Sequence, residues 1–230
     1  LINGDLPFEG SASIMFSRCW AYVGEVEQDS VGNDVRPDQV ETPDWFYTLA
    51  GGVQDYVDEP YLYYFQAGEN TLTLQGGKEP LALAWLELTQ PDSLPSYADY
   101  LAKWEAAGAV RAAGDSLKIQ GEAATGRSDR TISLQNDRTS PITEPMIPGE
   151  YPVTQLKFNS IGGQNWQHQK QWIEWKVVTT QAGLYRLGLR FKQSYLEGTY
   201  ATRRLQVNGE VPFAEADCIN FSYNFNWQSM

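Results

Sequence analysis

Positive charge is scarce in this sequence. Its 17 lysines and arginines are outnumbered by 29 aspartates and glutamates, so the formal net charge is −12 at pH 7. Surfaces that bind duplex nucleic acid or anionic membranes need clustered lysine and arginine. We therefore expect neither nucleic acid nor an anionic membrane surface to be a partner.

Cysteine and histidine are equally rare. Two separated cysteines, Cys19 and Cys218, make neither a disulfide framework nor a metal site. Both lie in apolar contexts, which predicts buried free thiols, and a disulfide would need the two ends of the chain side by side. His168 is the only histidine, and no serine or cysteine has the sequence context of an activated nucleophile. No motif marks a carboxylate pair for glycoside hydrolysis, so we predict a protein that is not an enzyme.

Long apolar runs are also missing. A helix that crosses a bilayer needs about 18 or more consecutive apolar residues, and the sequence predicts no transmembrane segment. Aromatic residues, in contrast, are abundant, with 8 Trp, 13 Tyr and 9 Phe, while charged residues make up only 20%. This composition favours strands and ring-stacking surfaces, and it is typical of an extracellular β-protein.

One segment occurs twice. Residues 3–8 read Asn-Gly-Asp-Leu-Pro-Phe and residues 208–213 read Asn-Gly-Glu-Val-Pro-Phe, at a constant offset of 205 positions. Apolar residues at the same spacing follow in both copies. Asn-Gly between apolar residues predicts a tight hairpin turn. A repeat of this length has the size of a domain rather than of a solenoid unit, so we expect the chain to be a fragment that starts within one module and ends within the next.

Strand-like patterns fill most of the chain. Apolar and aromatic residues bounded by turn residues predict strands at 45–49, 61–65, 71–74, 81–88, 172–178 and 184–191. Residues 25–44 and 125–150 are polar and rich in turn residues, which predicts long loops. Ser96 is a good N-cap, and the helical spacing of Tyr97, Tyr100, Leu101 and Trp104 predicts one short helix. Short strands without βαβ alternation predict an all-β jelly-roll β-sandwich.

Several of these segments resemble a known family. Residues 171–175, 181–187 and 203–209 are similar to galactose-binding-like β-sandwiches, more narrowly to carbohydrate-binding modules of families 6 and 35. Residues 68–74 and 81–88 resemble a later hairpin and the closing strand of those modules. Together with residues 96–101 and 139–141, the pattern resembles modules found in tandem in large lipid-anchored solute-binding proteins of Gram-positive bacteria.

The family's strand order implies an inverted arrangement. Residues 1–90 resemble the second half of a module, residues 91–114 a helix and linker, and residues 115–230 the first half. We favour one circularly permuted sandwich, because an open half-sandwich would expose an apolar face and unpaired strand edges. The alternative is two half-modules completed by other chains. In the permuted sandwich, the two copies of the repeated segment compete for one strand position.

Sugar binding needs aromatic rings that stack on the sugar, with amides and carboxylates nearby for its hydroxyls. Trp166 lies in a loop with Gln164 and Asn165, which makes these three residues the first candidate ligand-binding site; a ring that only covers the core is the alternative. Tyr195 and Tyr200 are second candidates, and Tyr56 is third.

The resemblance also implies a structural calcium ion near the opening strand. Glu122 matches the position of a family glutamate there, whereas Gln120 replaces the first glutamate of the family's pair. Calcium takes six or more oxygen ligands, several of them charged. An ordinary exposed glutamate is the alternative interpretation of Glu122.

As to function, the resemblance implies a carbohydrate-binding module without catalytic activity. It would act outside the cell, on a bacterial surface protein that captures polysaccharide or oligosaccharide or takes up sugar through an ABC transporter. The alternative is a structural spacer or docking module of a solute-binding protein, which contacts neighbouring domains of that protein and has no ligand of its own. A third hypothesis is an accessory unit of a glycoside hydrolase.

Overall fold

The computed structural model describes residues 1–51, 60–90, 93–112, 114, 116–137, 154–195 and 197–224. Two compact units contain them. The first unit comprises Leu1–Ser17, Trp45–Ser93 and His168–Lys170, and the second comprises Arg18–Asp44, Leu94–Gln167 and Gln171–Met230. No helix in the described part of the chain is long and apolar enough to cross a membrane.

Most of the regular secondary structure in the described residues consists of short strands. In chain order they are β1 (Trp20–Tyr22), β2 (Glu27–Gln28), β3 (Asp34–Val35), β4 (Gln39–Glu41), β5 (Gly126–Arg127), β6 (Leu134–Gln135), β7 (Ser160–Ile161), β8 (Ile173–Glu174), β9 (Tyr200–Arg203) and β10 (Ile219–Ser222). One α-helix, α1 (Tyr97–Ala106), accompanies them. The chain is therefore mainly β with little helix, which is compatible with the predicted all-β class; the jelly-roll arrangement stays a prediction.

The largest sheet has four antiparallel strands in the order β4-β1-β5-β8. Trp20 is its central residue, because it lies opposite both Glu41 of β4 and Arg127 of β5. Three further antiparallel pairs join β2 to β3, β6 to β7 and β9 to β10. The four-stranded sheet thus combines strands from residues 1–90 with strands from residues 115–230.

Several strand predictions were wrong. Residues 45–49, 61–65 and 81–88 form no strand, and 71–74 and 184–191 contribute only isolated bridges at Leu72 and Leu184. Conversely, the predicted loop 25–44 contains β2, β3 and β4. Apolar alternation reports which side chains could be half-buried, whereas a strand also needs a neighbouring edge for its N–H and C=O groups. That partner is not encoded in the local pattern.

Helix α1 begins where the sequence predicts. The Ser96 hydroxyl accepts a hydrogen bond from the Asp99 backbone N–H at 3.2 Å and donates to the Asp99 carboxylate at 2.7 Å. Phe213 packs against the first two turns of the helix, with ring centroids 5.1 Å from Tyr97 and 5.2 Å from Tyr100. The cap and the aromatic face therefore hold the helix in the second unit.

The capping bond leads to a testable stability difference. Replacing Ser96 by alanine leaves the Asp99 N–H without its acceptor, and we expect a loss of about 1 kcal/mol in the free energy of unfolding. The matched variant Ser96→Asp keeps a capping oxygen and should stay within a few tenths of a kcal/mol of the parent. Chemical denaturation followed by circular dichroism measures both, and equal losses in the two variants would contradict the capping role.

The most deeply buried side chains of the described residues lie in the second unit. Ile132 is 0% exposed and Leu134 is 2% exposed, and two cationic side chains, Arg127 and Lys157, are also buried at 1% and 2%. Apart from glycines, the other buried residues of the described chain are Ser133, Phe158, Asn159 and Ala216. The predicted polar loop 125–150 therefore supplies part of the core, because the short segment Ile132–Leu134 carries two large apolar side chains in an otherwise polar context.

The two copies of the repeated segment adopt the same backbone conformation. Asn3 and Asn208 have φ angles of 52° and 54°, and the glycines that follow have φ angles of 90° and 86°. Paired backbone hydrogen bonds close the hairpins Ile2–Asp5 and Val207–Glu210 at 2.8–3.2 Å. These are the asparagine-glycine turns that the sequence predicts. In each copy an extended phenylalanine and a short 3₁₀ helix follow.

Both cysteines are free thiols in the structure. Cys19 is half-buried beside β5, where a side chain on Gly126 would come within 3.4 Å of its Sγ. Cys218 is exposed, so the prediction of a buried thiol was wrong at that position. It precedes β10 at the surface, and a strand-like context does not determine which face of the strand is covered.

Candidate functional site

The loop that carries Trp166 is built on two glycines with positive φ. Gly162 has a φ angle of 100° and Gly163 of 62°, and the 3₁₀ helix Gly163–Asn165 follows. A Cβ atom on Gly162 would lie 3.1 Å from the Trp166 ring, so the ring packs directly against the glycine backbone. The turn is closed by a hydrogen bond from the Trp166 backbone N–H to the Gly163 carbonyl at 3.1 Å.

The Trp166 ring is held at one face and at its edge. The guanidinium carbon of Arg203 lies 4.1 Å from the ring centroid, and Arg203 also donates to the Trp166 carbonyl at 2.6 Å. The indole N–H donates to the Gln171 carbonyl at 3.2 Å. Burial lowers the pKa of the Arg203 guanidinium below its ordinary value. The half-buried ring is therefore fixed by stacking and hydrogen bonding.

Tyr195 lies beside the same loop. A Cβ atom on Gly163 would be 3.1 Å from the Tyr195 Oη atom, so the tyrosine hydroxyl contacts the backbone of the turn. Tyr195 is 56% exposed. Gln164 and Asn165, which directly precede Trp166 in the loop, are exposed as well. Four predicted residues, two aromatic and two amide, thus lie on or against one turn.

Tyr200, another predicted ligand-binding residue, does not join this group. Tyr200 is on β9, three positions before Arg203, and successive side chains of a strand point to opposite faces. Arg203 faces Trp166, so Tyr200, which is 62% exposed, faces the other way. Tyr200 therefore does not share a surface with Trp166, and its role in ligand binding stays a prediction. Tyr56 lies outside the described residues.

Arg203 is the residue of this surface that sequence reasoning missed. It stands 37 positions after Trp166 and belongs to a different element, β9. Its sequence context, Thr-Arg-Arg-Leu, is that of an ordinary strand with exposed charges. Only the pairing of β9 with β10 and the course of the 162–166 loop bring the guanidinium over the ring, so no local signal could have revealed it.

Glu122 lies at a separate place in the second unit. It belongs to the 3₁₀ helix Gly121–Ala123, which lines a cavity of about 470 Å³ together with Tyr22, Glu25 and Leu134. Ligand pockets commonly measure about 300–1,000 Å³. The Tyr22 hydroxyl accepts a bond from the Leu134 N–H at 3.1 Å, and the buried guanidinium of Arg127 lies 3.8 Å from the Tyr22 ring.

The residues around Glu122 offer few oxygen ligands for the calcium ion that the resemblance implies. The cavity wall offers the carboxylates of Glu122 and Glu25, whereas calcium takes six to eight oxygen ligands. Within the ranges that the structure describes, no group of three or more acidic, histidine or cysteine side chains is placed to hold a metal ion. These residues do not complete a calcium site, and the calcium ion stays a prediction from the resemblance.

Comparison with known proteins adds no assignment: no protein-family model, curated protein or solved structure matches this chain.

Proposed function

We propose that the surface formed by Trp166, Gln164, Asn165 and Tyr195 binds carbohydrate, and that the protein is a carbohydrate-binding module without catalytic activity. The observation that carries the proposal is the grouping of two aromatic rings and two exposed amides on one turn. A ring can stack on the apolar C–H face of a sugar, while amides donate to and accept from its hydroxyl groups.

The chemistry of the surface supports a sugar over other small ligands. Gln164 and Asn165 each carry both donors and acceptors, as each sugar hydroxyl also does. Trp166 is held by Arg203 and Gln171 before any ligand arrives, so little side-chain freedom would be lost on binding. The many aromatic residues and the low share of charged residues, 20%, support placing this function outside the cell, on a bacterial surface protein that captures glycans.

Removing the Trp166 ring should abolish most of the affinity. An aromatic side chain at the centre of a binding surface typically contributes about 2 kcal/mol or more, which corresponds to about a thirtyfold change in Kd. We expect Trp166→Ala to show this loss in isothermal titration calorimetry with the oligosaccharide selected from a glycan array. Trp104→Ala is the matched control, because Trp104 is 41% exposed on α1 and belongs to no part of the proposed surface.

A second variant separates binding from folding. Trp166 packs on Gly162 and Arg203, so its loss could disturb the loop, whereas Gln164 and Asn165 are exposed and replaceable without a gap. The double variant Gln164→Ala/Asn165→Ala should keep the circular dichroism spectrum of the parent and still weaken binding. Absence of binding to any glycan on the array would overturn the proposal and favour the structural spacer or docking module.

A further inference from the structure

The outer edge of the N-terminal hairpin is already paired with a strand. Leu1 and Thr73 exchange backbone hydrogen bonds at 2.7 and 2.9 Å, and the Asn3 N–H donates to the Thr71 carbonyl at 2.8 Å. The Asn3 side chain takes part as well: its Oδ1 accepts from the Thr71 N–H at 2.8 Å, and its Nδ2 donates to Asn70 Oδ1 at 3.0 Å. Ile2 lies opposite Leu72 in this antiparallel arrangement.

The C-terminal hairpin has the same backbone and an open edge. At the offset of the repeat, Gln206, Val207 and Asn208 correspond to Leu1, Ile2 and Asn3. All three are exposed, and among the residues that the structure describes neither Gln206 nor Asn208 has a hydrogen bond on this edge. An exposed strand edge of this kind is a template for another chain.

We propose that the outer edge of the C-terminal hairpin, residues 206–208, binds the segment Asn70–Thr73 of a second copy of this chain. The pairs would be those of the N-terminal hairpin, with Gln206 opposite Thr73, Val207 opposite Leu72 and Asn208 opposite Thr71. Addition of an extended segment to a free edge is a common mode of peptide recognition, in which main-chain bonds supply the affinity.

The occupant is specified by Asn70. The amide nitrogen of Asn70 donates to the carbonyls of Gln66 and Gly68 at 2.8 and 3.1 Å, which holds the side chain against its own turn. Its Oδ1 atom then faces the hairpin asparagine, as the bond from Asn3 shows. An arbitrary strand could supply the main-chain bonds, but not this acceptor. The two hairpins are therefore interchangeable partners of one segment.

In the intact second copy, this segment is already paired with residues 1–3, so the new contact is a strand exchange. The competing hairpin belongs to the same chain as the segment and acts at an effective concentration in about the millimolar range. The exchange is consequently weak between two intact chains. A synthetic peptide of residues 66–74 offers the segment without its competitor, and it is the probe for the first experiment.

The peptide is titrated into the ¹⁵N-labelled full chain. We expect chemical-shift changes at the Gln206 and Asn208 amides, because these N–H groups would form the new bonds. Asn208→Gly removes the amide side chain but tolerates the positive φ angle, so the turn is kept. It should weaken peptide binding about tenfold by loss of two hydrogen bonds. The matched variant Asn3→Gly alters the occupied hairpin and should leave binding to the C-terminal hairpin unchanged.

Cross-linking tests the contact between two copies. Ile2 and Leu72 form a pair without mutual hydrogen bonds, whose Cα atoms lie about 4.5 Å apart in antiparallel sheets, within disulfide range. A Val207→Cys chain mixed with a Leu72→Cys chain should therefore give a 207–72 disulfide, identified by peptide mass mapping. Thr73→Cys is the off-register control, because its side chain points to the other face. The proposal would be overturned by equal disulfide yields with Leu72→Cys and with Thr73→Cys. It would also be overturned if Asn208→Gly left the peptide-induced chemical-shift changes unaltered.

Discussion

Replacing Ile132 by alanine should lower the free energy of unfolding by about 2–5 kcal/mol. The side chain is 0% exposed, so its truncation removes buried methyl and methylene groups and leaves a cavity that the neighbours fill only in part. The neighbours are themselves constrained. Leu134, two positions on, is fixed at its N–H by the Tyr22 hydroxyl and at its carbonyl by Arg36 at 2.9 Å.

Equilibrium denaturation by urea measures this loss as a lower midpoint at unchanged slope. The control is Val178→Ala, because Val178 is 82% exposed and its truncation should change stability by less than about 0.5 kcal/mol. Ile132→Val, which removes a single methylene group, should fall between them at about 1 kcal/mol. If Ile132→Ala and Val178→Ala proved equally mild, the segment 132–134 would not be part of the core.

Local signals in the sequence predicted the local structures. The helix follows from Ser96 and the spacing of Tyr97, Tyr100 and Trp104, and all of these lie within one continuous stretch. The hairpins follow from Asn3-Gly4 and Asn208-Gly209, because asparagine and glycine are the residues that accept positive φ. Each of these structures is closed by bonds between residues at most five positions apart, so a short window contains the whole cause.

The sheet and the core depend on contacts that no short window contains. Trp20 pairs with Arg127, more than a hundred positions away, and Tyr22 bonds to Leu134 at a separation of 112 residues. The pattern of apolar residues could not select these partners. The pattern predicted a strand in the aromatic stretch Tyr61–Phe65, where Tyr64 is 82% exposed. It predicted a loop around Ile132, which is 0% exposed. Pairing partners decide both burial and strand formation, and they are properties of the tertiary structure.

The candidate site also combines residues that are neighbours in the sequence with residues that only the tertiary structure brings together. Trp166, Gln164 and Asn165 share one loop, and the sequence placed them together because they are neighbours in the chain. Tyr195, a separate candidate in the sequence, joins them through a contact with Gly163, and Arg203 joins them unpredicted. Tyr200 was grouped with Tyr195 by proximity in sequence, whereas the alternation of β9 directs it to the opposite face. The residue types indicated the kind of ligand, and the strands determined which of these residues lie on the same surface.

Removing Asp34 should destabilise the protein by about 3–5 kcal/mol, because it breaks a buried ion pair. The Asp34 carboxylate lies 3.1 Å from the Lys157 ammonium and accepts a bond from the Phe158 N–H at 2.9 Å. The two side chains are only 10% and 3% exposed. Asp34→Ala would leave the buried ammonium without this carboxylate and the Phe158 N–H without its acceptor, and both costs add to the lost attraction.

A second ion pair of similar length serves as the control. Arg18 and Glu41 are 2.7 Å apart, but their side chains are 40% and 39% exposed. Water and salt screen such a pair, so Glu41→Ala should cost less than about 1 kcal/mol. The double variant Asp34→Asn/Lys157→Met removes both buried charges at similar volume, keeps an acceptor for the Phe158 N–H and should recover most of the stability lost in Asp34→Ala. Urea denaturation of the three variants compares them directly. The two pairs differ mainly in burial, and burial is the reason why the Asp34 pair should contribute more to stability. Equal losses from Asp34→Ala and Glu41→Ala would therefore show that the segment 156–158 is accessible to water.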